Sequence, residues 1–161
     1  MTLQEGMFKF NFTDVKNVFK FDEDNRMLPA FHGLSHCMKA VDFIAEYTDH
    51  FVFIEIKNPP DPAYYSNEQD ITDLVKNLVI KFRDTFIYRW AEKKLNKPVY
   101  YLCLIELDNT QTLNIMDQLK IQLPTEKMPV RWQRPLAKTC VVANLETWNR
   151  TFSNIQVTRV I

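Results

Sequence analysis

The stretch that most constrains this chain runs from Lys39 to Lys57, KAVDFIAEYTDHFVFIEIK. Residues of high strand propensity (Val41, Phe43, Ile44, Tyr47, then Phe51, Val52, Phe53, Ile54, Ile56) flank a short polar break at Thr48, Asp49 and His50. The pattern predicts two antiparallel strands joined by a tight turn. A turn centred between Thr48 and Asp49 sets Asp42 opposite Glu55 and Ala40 opposite Lys57. Side chains two apart on a strand share a face, so Asp42, Glu55 and Lys57 project from one side, with opposing Cβ atoms about 4.5–5.5 Å apart. The same register gathers Val41, Phe43 and Ala45 with Val52, Ile54 and Ile56 on the other side, which is wholly apolar. That agreement selects the register.

Two carboxylates facing each other destabilise a sheet unless something compensates, and burying them unpaired costs more. A divalent cation bridging Asp42 and Glu55, with Lys57 as a nearby positive group, removes the problem. The simpler alternatives are that Lys57 alone neutralises the pair, or that the pair is solvated at a sheet end.

Asp42, followed by Glu55-Ile56-Lys57 on the next strand and then by a long helix, resembles the PD-(D/E)XK restriction-endonuclease-like nucleases. Asp42 matches the motif aspartate, Glu55 the (D/E) position and Lys57 the lysine; Val41 stands where the motif name has proline. The similarity spans roughly residues 36–107. The resemblance implies an α/β fold, with a central mixed sheet flanked by helices in a single restriction-endonuclease-like domain over residues 1–161. It also implies metal-dependent phosphodiester hydrolysis on nucleic acid, DNA or RNA. Asp42 and Glu55, with the Ile56 carbonyl as this fold usually provides, would hold Mg²⁺ or Mn²⁺. Asp42, Glu55 and Lys57 are then the catalytic set. Such nucleases often carry a further glutamate on an early helix. No helix is evident here to supply it, and Glu23 or Asp22 could do so only from an acidic loop.

The composition narrows the alternatives. With 161 residues the chain can bury a substantial core, and 2 glycines argue against a Gly-rich phosphate loop. Lys+Arg and Asp+Glu balance at 20 each, so any polyanion site must come from local clustering. Cys37, Cys103 and Cys140 form no CxxC pair, and the latter two sit in apolar runs as expected of reduced core thiols. No signal peptide or bilayer-length apolar run is present, so a cytoplasmic location without membrane contact is expected; a homodimer is the assembly considered.

Elsewhere, alternation at Phe8, Phe10 and Phe12, then at Val18 to Phe21, predicts two strands around a turn near residues 13–17, the phenylalanines forming a packed face. His32, His36 and Cys37 are possible soft-metal ligands by type, but their spacing fits no standard zinc pattern. Asn58 to Tyr65, with Pro59, Pro60 and Pro62, reads as a stiff extended loop. Ser66 and Gln69 fit a capping box opening a helix to about Leu95, with Ile71, Leu74, Val75, Leu78, Val79, Phe82, Phe86 and Trp90 as its buried stripe. Its other face carries Lys76, Lys81, Arg83, Arg89, Lys93 and Lys94. Lys81 and Arg83 are the best placed for phosphate, against a solvated face paired with Asp73, Asp84 and Glu92.

Val99 to Ile105 predicts an interior strand, with Glu106 and Asp108 solvated at its exit. Asn114–Leu123 predicts a helix, residues 140–143 a strand, Leu145–Arg150 a short helix and Ile155–Ile161 a closing strand. Arg131, Trp132 and Arg134 in the Pro-rich segment 124–138 suit phosphate contact with base stacking, or equally an ordinary surface loop. Two other functional classes compete with the enzyme: a binding or assembly module keeping the fold with little catalysis, and a structural protein whose Asp42/Glu55/Lys57 cluster is a satisfied polar knot.

Overall fold

The computed structural model describes residues 1–59 and 61–161. The fold is α+β, with two sheets and three helices among the described residues. The strands are β1 (Thr2–Glu5), β2 (Phe8–Phe12), β3 (Asn17–Lys20), β4 (Phe43–Glu46), β5 (Phe51–Lys57), β6 (Val99–Ile105), β7 (Thr139–Ala143) and β8 (Ile155–Arg159). The helices are α1 (Glu68–Ala91), α2 (Asn109–Gln122) and α3 (Leu145–Thr151). The central sheet has five strands in the order β3-β4-β5-β6-β7; the first three are antiparallel neighbours, while β5, β6 and β7 run parallel. Parallel strands need long crossovers, and α1 and α2 supply them.

The hairpin register holds: Phe43 lies opposite Ile54, Ile44 opposite Phe53 and Ala45 opposite Val52. Its polar side is not open to water. Ile44, Phe51 and Phe53 share that side and pack beneath α1, while Phe43, Ala45, Val52 and Ile54 pack against the second sheet. The first strand is shorter than expected, because residues 39–42 leave the ladder, so the expected pairs of Asp42 with Glu55 and of Ala40 with Lys57 do not form. The Lys39 N–H donates to Asp84 Oδ2 at 2.9 Å and the Val41 N–H to Thr85 Oγ1 at 3.1 Å, both on α1. Val41 therefore joins the helix side, not the apolar side expected for it.

The expected N-terminal hairpin does not form. β2 and β3 follow one another in the chain but lie in different sheets: β2 pairs with β1 and with β8, and β3 pairs with β4. Phe8, Phe10 and Phe12 are a packed face as expected, each at most 1 % exposed. Phe10 meets Phe43 edge-on at 5.3 Å and Trp148 at 5.9 Å, so these rings join the two sheets.

The long helix differs from expectation at both ends. Its N-cap is Asn67, whose side chain accepts from the Asp70 N–H, and not the Ser66–Gln69 box. Pro62–Ser66 forms a 3-10 turn inside the segment expected to be extended, because proline at a helix start gives up only an N–H that would be unbonded anyway. Pro60 lies outside the described residues. The buried stripe ends in Thr85 and Arg89 instead of Trp90, which is 69 % exposed, and Phe86 is half-buried. The Arg89 guanidinium instead lies 5.6 Å from the Phe19 ring and 5.8 Å from that of Phe51. The later elements follow the sequence reading closely, although α2 starts earlier, at Asn109, behind a capping box of Asp108 and Gln111. Glu106 is not free at the exit of β6: it accepts the Leu145 N–H at 2.7 Å and is ion-paired with Arg159.

Cys103 and Cys140 are free and buried, and burial raises both thiols, Cys140 to about 12. No helix among the described residues is long and apolar enough to cross a membrane. Because Phe10 bridges the sheets, Phe10→Ala is expected to cost about 3–5 kcal/mol in urea unfolding, as for other fully buried aromatics; a loss under 1 kcal/mol would mean the sheets do not depend on each other.

Candidate functional site

β4 ends its ladder with β5 at the Phe43–Ile54 pair, which leaves the last residues of β5 without a strand neighbour on that side. Asp42, in the bend before β4, fills the gap: its Oδ2 accepts the Ile56 N–H at 2.7 Å. The Lys57 carbonyl accepts the Glu106 N–H across the parallel junction at 3.3 Å. By strand alternation the Ile56 carbonyl therefore faces the Asp42 side. Asp42 itself is fixed from both directions, by the tethers to α1 and by the Phe21 N–H donating to its carbonyl at 2.8 Å.

Glu55 is 0 % exposed and Asp42 8 %. Lys81 Nζ lies 2.7 Å from Glu55 Oε1, and Lys57 Nζ lies 3.1 Å from the same oxygen. These are charge contacts, without the alignment of hydrogen bonds, and Glu55 Oε2 has no partner among the described residues. A buried carboxylate oxygen outside any hydrogen bond among the described residues is an acceptor that a hard cation would fit.

The electrostatics follow from burial. Desolvation, aided by the neighbouring Glu55 charge, pushes Asp42 up to about 7 from the ordinary carboxylate range; the Lys81 charge and the Ile56 N–H oppose this. Desolvation works to lower Lys81, but the attraction of Glu55 outweighs it and the net direction is upward. Lys81 is thus a cation of the site itself. The sequence reading had placed it on the outer face of α1.

The other expected residues are dispersed. Arg83 is exposed on α1. Arg131, Trp132 and Arg134 are exposed in the connection that enters the sheet at its other end, where the Lys138 N–H bonds the Val99 carbonyl at 2.8 Å. Arg134 lines a cleft of about 540 Å³ with Lys97, Leu136 and Lys138, which includes none of the acid pair or its lysines. Of the early acids, Glu23 accepts the Asn25 N–H at 2.9 Å and Asp22 is exposed, though its charge helps raise Lys81. Glu5 on β1, paired with Lys20 at 3.1 Å, adds slightly to the rise in Asp42. A residue in the other sheet gives no short-range signal, so sequence reasoning missed it. His32, His36 and Cys37 do not assemble, and no group of three or more His, Cys, Asp or Glu converges as metal ligands among the described residues.

Asp42, Glu55 and the Ile56 carbonyl offer only hard oxygens, a donor chemistry suited to Mg²⁺ or Mn²⁺ and not to a soft metal. No family model, curated protein or solved structure matches this chain.

The raised Asp42 has a signed consequence for stability. Between about pH 4 and pH 7 the folded chain keeps a proton that the unfolded chain has released, so stability falls as pH rises through that window. Above it the full penalty applies, on the order of 4 kcal/mol. In chelator-containing buffer, Asp42→Asn is expected to be more stable than the parent at pH 8, by about 2–4 kcal/mol, with the two converging below pH 4. Chemical denaturation across pH measures this, and a variant equally destabilised at both pH values would contradict the assignment.

Proposed function

We propose that this chain is a metal-dependent phosphodiester hydrolase of the restriction-endonuclease-like class acting on nucleic acid. One observation carries the reading: Asp42 and Glu55 are both buried at neighbouring strand ends, near enough for the Glu55 charge to raise Asp42, and two lysines lie on Glu55 Oε1 while its Oε2 has no partner among the described residues. The order of elements gives further support. An antiparallel hairpin carrying both acids leads into α1 and then into the parallel strand β6, the strand–turn–strand–helix context that the resemblance requires. The acids also lie at the carboxyl end of β5, where sheets with parallel strands commonly present their ligands.

Asp42, Glu55 and the Ile56 carbonyl would hold Mg²⁺ or Mn²⁺. Once bound, such an ion supplies Lewis-acid polarisation of a phosphoryl oxygen and a more acidic water. The chain's own contribution is electrostatic. Lys57, partly exposed at the end of β5, reaches the mouth of the site and orients the attacking water or stabilises charge developing on phosphoryl oxygens. Lys81, mostly buried, sets its positive charge 2.7 Å from Glu55 and fixes that side chain against α1. Arg83, exposed on the same helix, is the residue proposed to contact the nucleic-acid backbone.

A second reading has its own observation. Asp42, Glu55, Lys57 and Lys81 already balance in formal charge, as a satisfied polar knot in a non-catalytic module would. Calorimetry with Mn²⁺ and a hydrolysis assay separate the two. The enzyme reading expects Mn²⁺ binding and cleavage of DNA or RNA that stops with chelator. It also expects a fall of about 10²-fold or more in Asp42→Ala and in Lys57→Ala. Full activity in both variants would end the nuclease proposal, and no Mn²⁺ heat from a folded chain would favour the knot.

A further inference from the structure

The second sheet reaches the end of β5 through the turn between β1 and β2. Met7 lies in that turn, and Asn58 directly follows Lys57. The Asn58 side-chain amide donates to Met7 Sδ at 3.2 Å. Arg159, on β8 opposite Phe8, donates to the same sulfur from Nη1 at 3.4 Å. Two donors from distant parts of the chain are thus aimed at one point. The atom they share is a thioether sulfur, a weak acceptor, whereas a guanidinium makes its strongest bonds to charged oxygen.

The guanidinium is held from its other sides. Its Nη2 is ion-paired with Glu106, which also accepts the Leu145 N–H at 2.7 Å, and Cζ lies 5.5 Å from the centre of the Phe8 ring. The Glu106 N–H bonds the Lys57 carbonyl at 3.3 Å, so Arg159 is tied to the strand end that carries Lys57. The Arg159 side chain is nonetheless 48 % exposed, and Asn58 is exposed as well. Met7 is itself exposed, with its backbone fixed by the Val160 N–H on its carbonyl. Its unbranched side chain is flexible enough to swing clear without moving the turn.

We propose that Asn58 and Arg159 form a phosphate clamp, closed by the Met7 thioether until a phosphoryl oxygen takes its place. Such an oxygen is a charged acceptor, which a guanidinium and a neighbouring amide bind far better than they bind sulfur. Because Glu106 already offsets the charge of Arg159, a singly charged phosphodiester fits better than a doubly charged phosphate. That the diester belongs to a polynucleotide rests on the nuclease reading; the clamp does not. Under that reading it holds a phosphate next to the one at Lys57, and it positions the strand without touching the reacting atoms.

The test is binding of a short single-stranded oligodeoxynucleotide, and separately of inorganic phosphate, to the full chain in chelator. Fluorescence anisotropy reads the oligonucleotide affinity, and NMR of the Met7 methyl group reads displacement of the thioether by either ligand. The oligonucleotide is expected to bind and to shift the Met7 signal. Arg159→Gln should weaken binding about fivefold or more at about 0.1 M salt, and lower the slope of log K against log salt by about 1. Asn58→Ala changes no charge and should still weaken binding about fivefold, which a general charge effect would not produce. A Met7 signal that neither ligand moves would overturn the proposal. So would undiminished binding, by folded Arg159→Gln and Asn58→Ala, of the ligand that moves it. A shift with the oligonucleotide assigns the clamp to a polynucleotide; a shift with inorganic phosphate alone assigns it to a free phosphate, and either supports the clamp. Chelator removes metal and cleavage is not read, so a chain that hydrolyses nothing can keep the clamp and an active nuclease can lack it.

Discussion

The placement of Glu55 governs much of this structure. A carboxylate at 0 % exposure is tolerated only with positive charge close by, and the chain provides it from two directions. Lys57 comes from the same strand face two residues on, and Lys81 comes from the middle of α1. The Lys81 contact fixes the helix in rotation as well as in position, since moving α1 by one residue would withdraw the ammonium and leave the acid stranded. With α1 so held, Asp84 and Thr85 face the segment entering β4, and their bonds to Lys39 and Val41 set Asp42 beside Ile56. Glu55 and Asp42 are thus positioned by the same helix, one through charge and the other through backbone tethers.

Several parts of this arrangement were legible in the sequence because they are local. The hairpin register followed from apolar residues that had to agree across a short turn. The α1 stripe from Ile71 to Phe82 followed from its three- and four-residue spacing, and β6 from an unbroken apolar run. What stayed hidden depends on partners far along the chain. Alternation at Phe8, Phe10 and Phe12 shows that one face is buried, but it cannot name the neighbouring strand, so separate sheets for β2 and β3 were beyond its reach. The bend at Asp42 owes its shape to Asp84 and Thr85, more than forty residues away, and Val41 changed sides with it.

The site shows the same division. Asp42, Glu55 and Lys57 could be grouped from the hairpin alone, whereas Lys81 could be assigned only to a helix face that had two interpretations. Arg89 and Trp90 exchange their expected places for a related reason. Hydropathy ranks tryptophan as the core residue, but the space at that turn lies between the flat faces of Phe19 and Phe51, which suit a guanidinium. The capping of α1 by Asn67 in place of Ser66 is a one-residue ambiguity between two good caps.

The pairing of β2 with β8 has a consequence for how the chain reaches this state. Phe8 and Arg159 are neighbours in the sheet although about 150 residues separate them. The loop closure behind that contact costs entropy before the strand pairing can return anything. During synthesis β2 can find β1 at once, but its other edge, beside three phenylalanines, must wait for β8 to emerge. The nascent protein therefore carries an open strand edge until β8 has been made, and that interval is when it is most exposed to self-association.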